Sequence, residues 1–475
     1  MGLILFKKDL LYFFVSKVFH IGFGLFILRT LSNNLSPASF GLYETAFVTI
    51  QLLSLIIGLG LGSGLTREVA VGSRDVKTLF SFALILVLLM GCGAIFLGWG
   101  LSPWLTTYLS KEVLVFVFVS AGFFALNELG FGLVRGYSYS KYYLLIICAQ
   151  NAVFLGTLYF FFTAYNVSLF YALLGFFLGQ VTAFLLYGIR FFPSLCRPAS
   201  WGSFSGIFFF SFPLMLSNLL AFVYHSSDRY MLALMQSLEE VAFYSIAYRV
   251  FGLLMVVIGV VQMAFPGYIF RVYANNPKYS QALSSTVQIV FFLYSVCSVG
   301  LSIGAAFLVR FLSSSVYLPA VPIIFVLMMA GLFQGLSSLL VSGISFEGRT
   351  SRFLVVTFVC ALVNFSLNFI WIPPYGMMGA AVSTSISMAL MCLLSAIVSF
   401  YTHPISYKWV RISLDLILLF SFLMWQLFFP MALGFRLLVG GAVILFAAVI
   451  LISRDEILLI KEELEKYDVF AKILR

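Results

Sequence analysis

Long apolar stretches alternate with short polar connectors along almost the whole chain, and no soluble domain interrupts them. A helix needs about 20 mostly apolar residues to cross the hydrocarbon core of a bilayer. Fourteen stretches meet this requirement, with predicted bounds 10–30, 41–64, 78–100, 113–134, 143–164, 169–189, 205–226, 241–264, 286–309, 320–342, 353–373, 377–400, 410–429 and 432–453. The pattern predicts an all-α integral membrane protein with about 14 transmembrane helices.

Composition and charge favour a membrane protein and argue against binding of nucleic acid. Hydrophobic residues make up 62% of the chain, charged residues make up 9%, and the mean hydropathy is +1.10. With the N-terminus inside, 20 of the 27 Lys and Arg residues fall on inner segments and 5 on outer segments, which leaves Lys17 and Arg249 within spans. This positive-inside bias predicts that both termini are cytoplasmic, and it explains the net charge of +10 by topology and anionic lipids.

An internal repeat divides the chain. Residues 35–52 align without a gap on residues 236–253, an offset of 201 that matches Ser36 with Ser237 and Tyr43 with Tyr244. An offset of six spans preserves orientation, so the repeat is parallel. We therefore expect a first six-helix lobe at 1–190, a cytoplasmic linker at 191–202, a second six-helix lobe at 203–402, two further transmembrane helices at 403–453 and a cytoplasmic amphipathic tail at 454–475.

Several motifs resemble those of one transporter family. They are LSPASFGLYETAF at 35–47, GLGLGSGLTREVA at 58–70, DRYML at 228–232, EEVAFYSIAYRV at 239–250 and IPPYGMMGAA at 372–381. These segments resemble the Wzx-type polysaccharide and O-antigen flippases of the multidrug/oligosaccharidyl-lipid/polysaccharide exporter superfamily. One departure is Ala242, which stands where the family usually has glycine.

The resemblance implies a fold and a function. The expected fold has two six-helix lobes around a central cavity that opens alternately to either side, plus two C-terminal helices. The expected substrate is an oligosaccharide repeat unit linked to undecaprenyl diphosphate, carried across the cell inner membrane for lipopolysaccharide synthesis. The expected partners are membrane lipids, a polysaccharide polymerase and a chain-length regulator, and no cofactor, metal or catalytic residue is expected.

Two cations within spans are the leading candidates for substrate binding. A charge in mid-membrane costs roughly 2.5 to 3.5 kcal/mol on insertion scales. Lys17, His20 and Gly24 share one face of span 1, and Arg249 lies on a face of span 8 whose other small or polar members are Ser245, Gly252, Gly259 and Gln262. Lys17 should lie in the inner half of the membrane and Arg249 in the outer half, where both could attract a diphosphate. The alternative is that each pairs with a carboxylate or extends to a head group, and His20 could simply be a hydrogen-bonded packing residue.

Acidic residues form a second set of candidates. Glu128 in span 4 could pair with Lys17, bind a coupling cation, line the sugar passage or be a protonated structural group. Asp228 and Glu44, at outer span ends, are candidates for gating or structural roles, and the adjacent Arg229 and helix capping are alternative explanations for Asp228. Arg411 and Asp415 form an i, i+4 pair that we interpret as an anchor at the inner edge.

Other functions remain open. A lipid II flippase and a drug/cation antiporter belong to the same superfamily as the group that the motifs resemble. A membrane-embedded polysaccharide polymerase or glycosyltransferase is disfavoured, because such an enzyme generally needs a large external loop with catalytic residues. Here the outer connectors are short and contain no cluster of His, Asp and Glu.

Overall fold

The computed structural model describes residues 2–73, 75–105, 111–195, 200–275, 279–341, 350–402, 405–429 and 432–452. All regular secondary structure in these ranges is helical, which confirms the predicted fold class. The helices are α1 (Gly2–Asn34), α2 (Pro37–Gly58), α3 (Leu61–Ala70), α4 (Val76–Leu105), α5 (Lys111–Gly136), α6 (Ser140–Ala164), α7 (Leu169–Phe191), α8 (Trp201–Met235), α9 (Leu238–Asn275), α10 (Tyr279–Ile303), α11 (Ala305–Leu312), α12 (Val321–Leu340), α13 (Thr350–Thr402), α14 (Trp409–Phe428) and α15 (Leu433–Leu451). Short 3₁₀ segments occupy Phe192–Ser194 and Ser315–Ala320. The predicted tail at 454–475 lies outside the described residues.

Thirteen helical segments of the described chain are long and apolar enough to cross a membrane. One of them covers Val355–Tyr401, and its 47 residues amount to about 70 Å of helix, more than twice the hydrocarbon thickness. The helix is interrupted inside this segment at Gly376, whose φ of 54° and ψ of −135° are not helical. The segment therefore contains two spans, as predicted at 353–373 and 377–400, and the protein is a multi-pass membrane protein with close to 14 spans.

The second predicted span, 41–64, is wrong in its C-terminal part. α2 ends at Gly58, and Leu59 and Gly60 both adopt left-handed backbone conformations, with φ of 50° and 70°. α3 then begins at Leu61 as a separate helix. The apolar run continues through this break, so hydropathy alone could not locate the end of the helix.

The described chain separates into two compact units. The first contains residues 1–233 and 237–242, and the second contains residues 234–236 and 243–475. Within the first unit, α5 packs against α2, α3, α4 and α7, and α1 packs against α6. Within the second unit, α12 packs against α10, α13 and α14, and α15 packs against α10 and α14. The functional lobes 1–190 and 203–402 and the linker between them stay predictions.

Close backbone contacts hold α3 against α5 in the first unit. A Cβ added to Gly62 would lie 2.5 Å from the carbonyl oxygen of Glu128, and one added to Gly132 would lie 2.3 Å from the carbonyl oxygen of Gly62. The hydroxyl of Thr66 donates a hydrogen bond of 3.0 Å to the carbonyl of Gly132. Small residues allow this approach, which is typical of helix packing in membranes.

Candidate functional site

The face of α1 that carries Lys17 and His20 is exposed. Lys17 and His20 are both exposed, and no heavy atom outside its own helix lies within 4 Å of the position of a Cβ on Gly24. In the described part of the chain, no carboxylate oxygen lies within 4.0 Å of the Lys17 ammonium. The Lys17–Glu128 pair, one of the alternatives for Glu128, is therefore absent from this structure, and the charge of Lys17 lies at an open surface.

A hydrogen bond to α6 orients the ring of His20. The side-chain amide nitrogen of Asn151 lies 3.3 Å from Nδ1 of His20 and also donates to the carbonyl of Ile147 at 2.7 Å. Because an amide nitrogen can only donate, Nδ1 must accept, and the hydrogen of the neutral ring is placed on Nε2. Asn151 lies 131 residues away in the chain, so the sequence offered no signal of this partner.

Glu128 pairs with a basic residue of its own helix. Its carboxylate lies 3.4 Å from the guanidinium of Arg135, and the two side chains are 48% and 37% exposed. Residues seven apart lie on the same side of a helix about two turns apart, so two long side chains can meet. The seven-residue spacing of Glu128 and Arg135 in the sequence was therefore a signal that could have predicted this ion pair. A role for Glu128 in binding a coupling cation stays a prediction.

The face of α9 that carries Arg249 is only partly open. Ser245 is fully buried, Arg249 is half-buried and makes contacts, and Gln262 is exposed. No heavy atom outside the helix lies within 4 Å of a Cβ position on Gly252 or Gly259. Gly252, Gly259 and Gln262 thus lie next to open space, whereas Ser245 packs inside the second unit.

Glu44 and Asp228, predicted to lie at outer span ends, are both buried. Each is 2% exposed and makes interactions within the protein. Asp228 lies seven residues before the end of α8, so the capping alternative is wrong, and its Oδ1 accepts a hydrogen bond of 2.8 Å from the backbone of Arg229. Burial at both sites favours structural or gating roles, which stay predictions.

The family-like motif at 58–70 has a structural explanation. Gly60 adopts φ of 70° at the break between α2 and α3, and Gly62 contacts the backbone of α5. A Cβ on Gly64 would lie 2.3 Å from the hydroxyl of Ser211 in α8. Gly60, Gly62 and Gly64 therefore permit a turn and two close helix contacts.

Several amides that could bond sugar hydroxyls instead bond within the protein. In the second unit, the Asn364 amide donates to the hydroxyl of Ser387 at 3.0 Å, and the Asn368 amide donates to Asn364 at 3.1 Å. In the first unit, the Asn127 amide donates to the side chain of Gln180 at 2.7 Å. All three asparagines are buried. The Asn127 bond joins α5 to α7 and the Asn364 bond joins the two spans of α13, whereas the Asn368 bond lies within one span. Among the described residues, no group of three His, Cys, Asp or Glu could hold a metal ion.

The sequence matches one known protein family over more than half of its length. Residues 6–272 match the family described as polysaccharide biosynthesis protein. Comparison with curated proteins gives no match.

Solved structures of two transporter groups have the same fold. A lipid II flippase, MurJ, in an inward closed conformation aligns with a TM-score of 0.68 at 18% identity, over 92% of this chain and 98% of its own. A multidrug resistance MATE family transporter of the MOP superfamily aligns in an inward-facing conformation with a TM-score of 0.56 at 15% identity, over 83% and 94%. A multidrug resistance MATE family transporter in an outward-facing conformation aligns with a TM-score of 0.58 at 15% identity, over 86% of this chain and 95% of its own.

Proposed function

The chain belongs to the polysaccharide biosynthesis protein family, and on that premise we propose that it is a flippase for lipid-linked oligosaccharides. It would move an oligosaccharide on undecaprenyl diphosphate from the inner to the outer leaflet by alternating access. No covalent step is needed, because the barrier to crossing is the transfer of a polar head through the hydrocarbon core. The proposed location is the cell inner membrane with both termini in the cytoplasm, where a polysaccharide polymerase and a chain-length regulator would act on the product.

The observation that carries the proposal is a lysine exposed on the open face of α1. Lys17 has no carboxylate within 4.0 Å among the described residues, although a charge in a span costs roughly 2.5 to 3.5 kcal/mol. An anionic ligand would offset this cost. The diphosphate of the carrier is such a ligand, and His20 on the same face would add a hydrogen-bond donor or a second positive charge.

Arg249 would be the second cation, in the other unit. Its guanidinium can hold a phosphate through two parallel hydrogen bonds, whereas an ammonium acts as a point charge. Cations at different predicted depths would attract the diphosphate at different stages of its transport. Glu128, held by Arg135, is the proposed coupling residue in this scheme.

Two alternatives lie within the same superfamily. A lipid II flippase is supported by the MurJ likeness over 92% of this chain, and it would use the same cationic diphosphate site. A drug/cation antiporter has the MATE fold in common with this chain, but the motifs at 35–47 and 228–232 resemble the polysaccharide group. Expression of this protein in a strain that lacks its own polysaccharide flippase distinguishes these functions. Restored export of the polysaccharide repeat unit would support the oligosaccharide flippase over both alternatives.

Substitution of the two cations tests the proposal. Loss of a charged hydrogen-bond partner costs about 1.5 to 3 kcal/mol, so we expect Arg249→Ala to reduce surface polysaccharide roughly 10- to 100-fold. Arg249→Lys should be partly active, because it keeps the charge but loses the planar fork. Lys17→Ala should have a smaller effect, since the outer cation remains. Surface polysaccharide is measured in a strain lacking its own flippase, with membrane abundance measured alongside.

A matched control removes an exposed arginine elsewhere. Arg310→Ala deletes an exposed charge near the end of α11, and we expect export at the wild-type level. Full export by a Lys17→Ala/Arg249→Ala double variant at normal abundance would show that these charges do not carry the substrate.

A further inference from the structure

The carboxyl group of Asp415 is fully buried in the second unit. Asp415 lies in α14, which packs against α10, α12 and α15, and its side chain is 0% exposed. Two side-chain hydrogen bonds join α14 to α10. The Ser295 hydroxyl lies 2.8 Å from Oδ2 of Asp415, and the Gln426 amide donates to the hydroxyl of Ser302 at 3.0 Å. Ser295 precedes Ser302 in α10, and their partners Asp415 and Gln426 follow in the same order in α14, so the two helices run parallel.

No basic side chain neutralises Asp415 in the part of the chain that the structure describes. The predicted pair with Arg411 does not form, because no basic nitrogen lies within 4.0 Å of the Asp415 carboxyl oxygens. α10 and α12 contain no Asp, Glu, Lys, Arg or His, and the titratable residue of α10 nearest to Ser295 is the buried Tyr294. Asp415 lies near the N-terminal end of α14, and Lys408 directly precedes that helix. Arg436 lies near the start of α15, and the start of α15 follows the C-terminal end of α14 in the chain.

The hydrogen bonds around Asp415 indicate where a proton lies. Ser295 has a single hydroxyl hydrogen, but its oxygen lies 2.8 Å from the carboxyl of Asp415 and 3.0 Å from the carbonyl of Phe291. The other carboxyl oxygen, Oδ1, is buried and has no hydrogen-bond partner among the described residues. An ionised Asp415 would therefore be a buried charge with one donor at most, which is costly.

A protonated carboxyl satisfies the same geometry. The Asp415 hydroxyl then donates to Ser295, and the Ser295 hydroxyl donates to the Phe291 carbonyl, so that every hydrogen has an acceptor. The back-bond from serine to the carbonyl four residues earlier is common in helices.

We propose that Asp415 is a proton-binding site that links the first helix of the C-terminal pair to the rest of the second unit. It holds a proton while α14 is packed on α10, and loss of the proton weakens this packing because an unneutralised charge is left between apolar helices. The Gln426–Ser302 bond further along the interface contains no titratable group and does not respond to pH. The proton site does not depend on the identity of the transported substrate.

Infrared spectroscopy of the full-length protein in proteoliposomes tests the proton directly. At mildly acidic pH, we expect the wild-type spectrum to contain the carbonyl stretch of one protonated carboxylic acid that is absent from Asp415→Asn and present in Glu128→Gln. Ser295→Ala provides a second test that keeps Asp415. In that variant the band should remain but shift to a higher frequency, because the acid has lost its acceptor. Identical protonated-carboxyl spectra for the wild type and Asp415→Asn would overturn the proposal.

The pH dependence of thermal unfolding tests the link to packing. A proton bound in the folded protein and released on unfolding makes the melting temperature fall as the pH rises. We expect this fall in the wild type from mildly acidic to alkaline pH, and a smaller fall in Asp415→Asn, whose amide cannot ionise. Gln426→Leu is the matched control, and it should lower the melting temperature by a similar amount at every pH. Parallel curves for the wild type and Asp415→Asn would exclude the proposed site.

Discussion

At the scale of single residues, close backbone contact decides where this chain needs glycine. A Cβ added to Gly41 would lie 1.8 Å from the carbonyl oxygen of Leu238, which is far closer than two such atoms can approach. Gly41 and Ala242 occupy equivalent positions in the predicted repeat, at its offset of 201. Ala242 is fully buried, so its small side chain is accommodated where the family usually has glycine. The departure from the family pattern is thus a matter of packing.

Substitution of Gly41 tests this requirement. Gly41→Ala should lower the free energy of unfolding by about 1 to 3 kcal/mol or more, because α2 or the start of α9 must move. Gly93→Ala is the control, since no heavy atom outside its helix lies within 4 Å of its Cβ position, and alanine there should be neutral or slightly stabilising. Thermal unfolding in detergent measures both. Equal melting temperatures for the two variants would contradict the close contact.

At the scale of helices, corresponding elements of the predicted repeat begin in the same way. Ser36 precedes α2 and Ser237 precedes α9, and each hydroxyl accepts a hydrogen bond of 3.3 Å from the backbone three residues later. A serine at this position satisfies an amide that the helix itself leaves unpaired. The alignment that matched these serines therefore also matches their local structure, which supports the repeat.

The break inside α13 relies on a partner from another connector. The helix is interrupted at Gly376, four residues after Ile372. In an unbroken helix the carbonyls of Ile372 and Pro373 would accept from the amides of Gly376 and Met377, so the break calls for another donor. The side-chain amide of Gln236 donates to both carbonyls, at 2.7 and 2.8 Å. The connector between spans 7 and 8 thus stabilises the turn between spans 11 and 12.

Removal of the Gln236 amide should destabilise this turn. We expect Gln236→Leu to lower the free energy of unfolding by about 1 to 2 kcal/mol, since two hydrogen bonds are lost and water at this exposed site replaces them in part. Gln262→Leu is the matched control, because Gln262 is also exposed and makes no hydrogen bond among the described residues. Thermal unfolding compares the two variants. A decrease confined to Gln262→Leu would exclude the proposed role of Gln236.

At the scale of the whole molecule, the distribution of basic residues predicts which side of the membrane each connector faces. Three of the cations predicted to be cytoplasmic contact aromatic rings near helix ends. The Arg67 guanidinium lies 4.5 Å from the centre of the Phe210 ring, and the Arg190 guanidinium lies 4.8 Å from that of Tyr139. The Lys141 ammonium lies 5.5 Å from the Tyr12 ring. Such contacts hold cations near the ends of spans, where head groups are found.

Single-cysteine labelling tests the orientation. On a cysteine-free background, we expect a membrane-impermeant reagent added to intact cells to label Val167→Cys, in the connector between α6 and α7 that is predicted to face outward. It should not label Arg197→Cys, in the predicted cytoplasmic linker, until the membrane is permeabilised. Labelling of Arg197→Cys in intact cells would invert the predicted topology.

The sequence by itself determined the class of the protein and the approximate position of nearly every span. Hydropathy is a local property, because each helix satisfies its own backbone hydrogen bonds in lipid. Helical spacing likewise placed Lys17, His20 and Gly24 on one face, and it offered the Glu128–Arg135 pair as well. The bias of basic residues predicted orientation for the same reason, since each connector contributes independently.

Tertiary structure decided the partners and burial of the polar side chains. The bonds from Asn151 to His20, from Gln236 to Ile372 and from Ser295 to Asp415 join residues 131, 136 and 120 positions apart. No local pattern encodes such a distance, because packing brings these helices together only when the whole unit folds. The same reason explains why Asp415 looked like an anchor paired with Arg411, although the fold encloses its carboxyl group between α14 and α10.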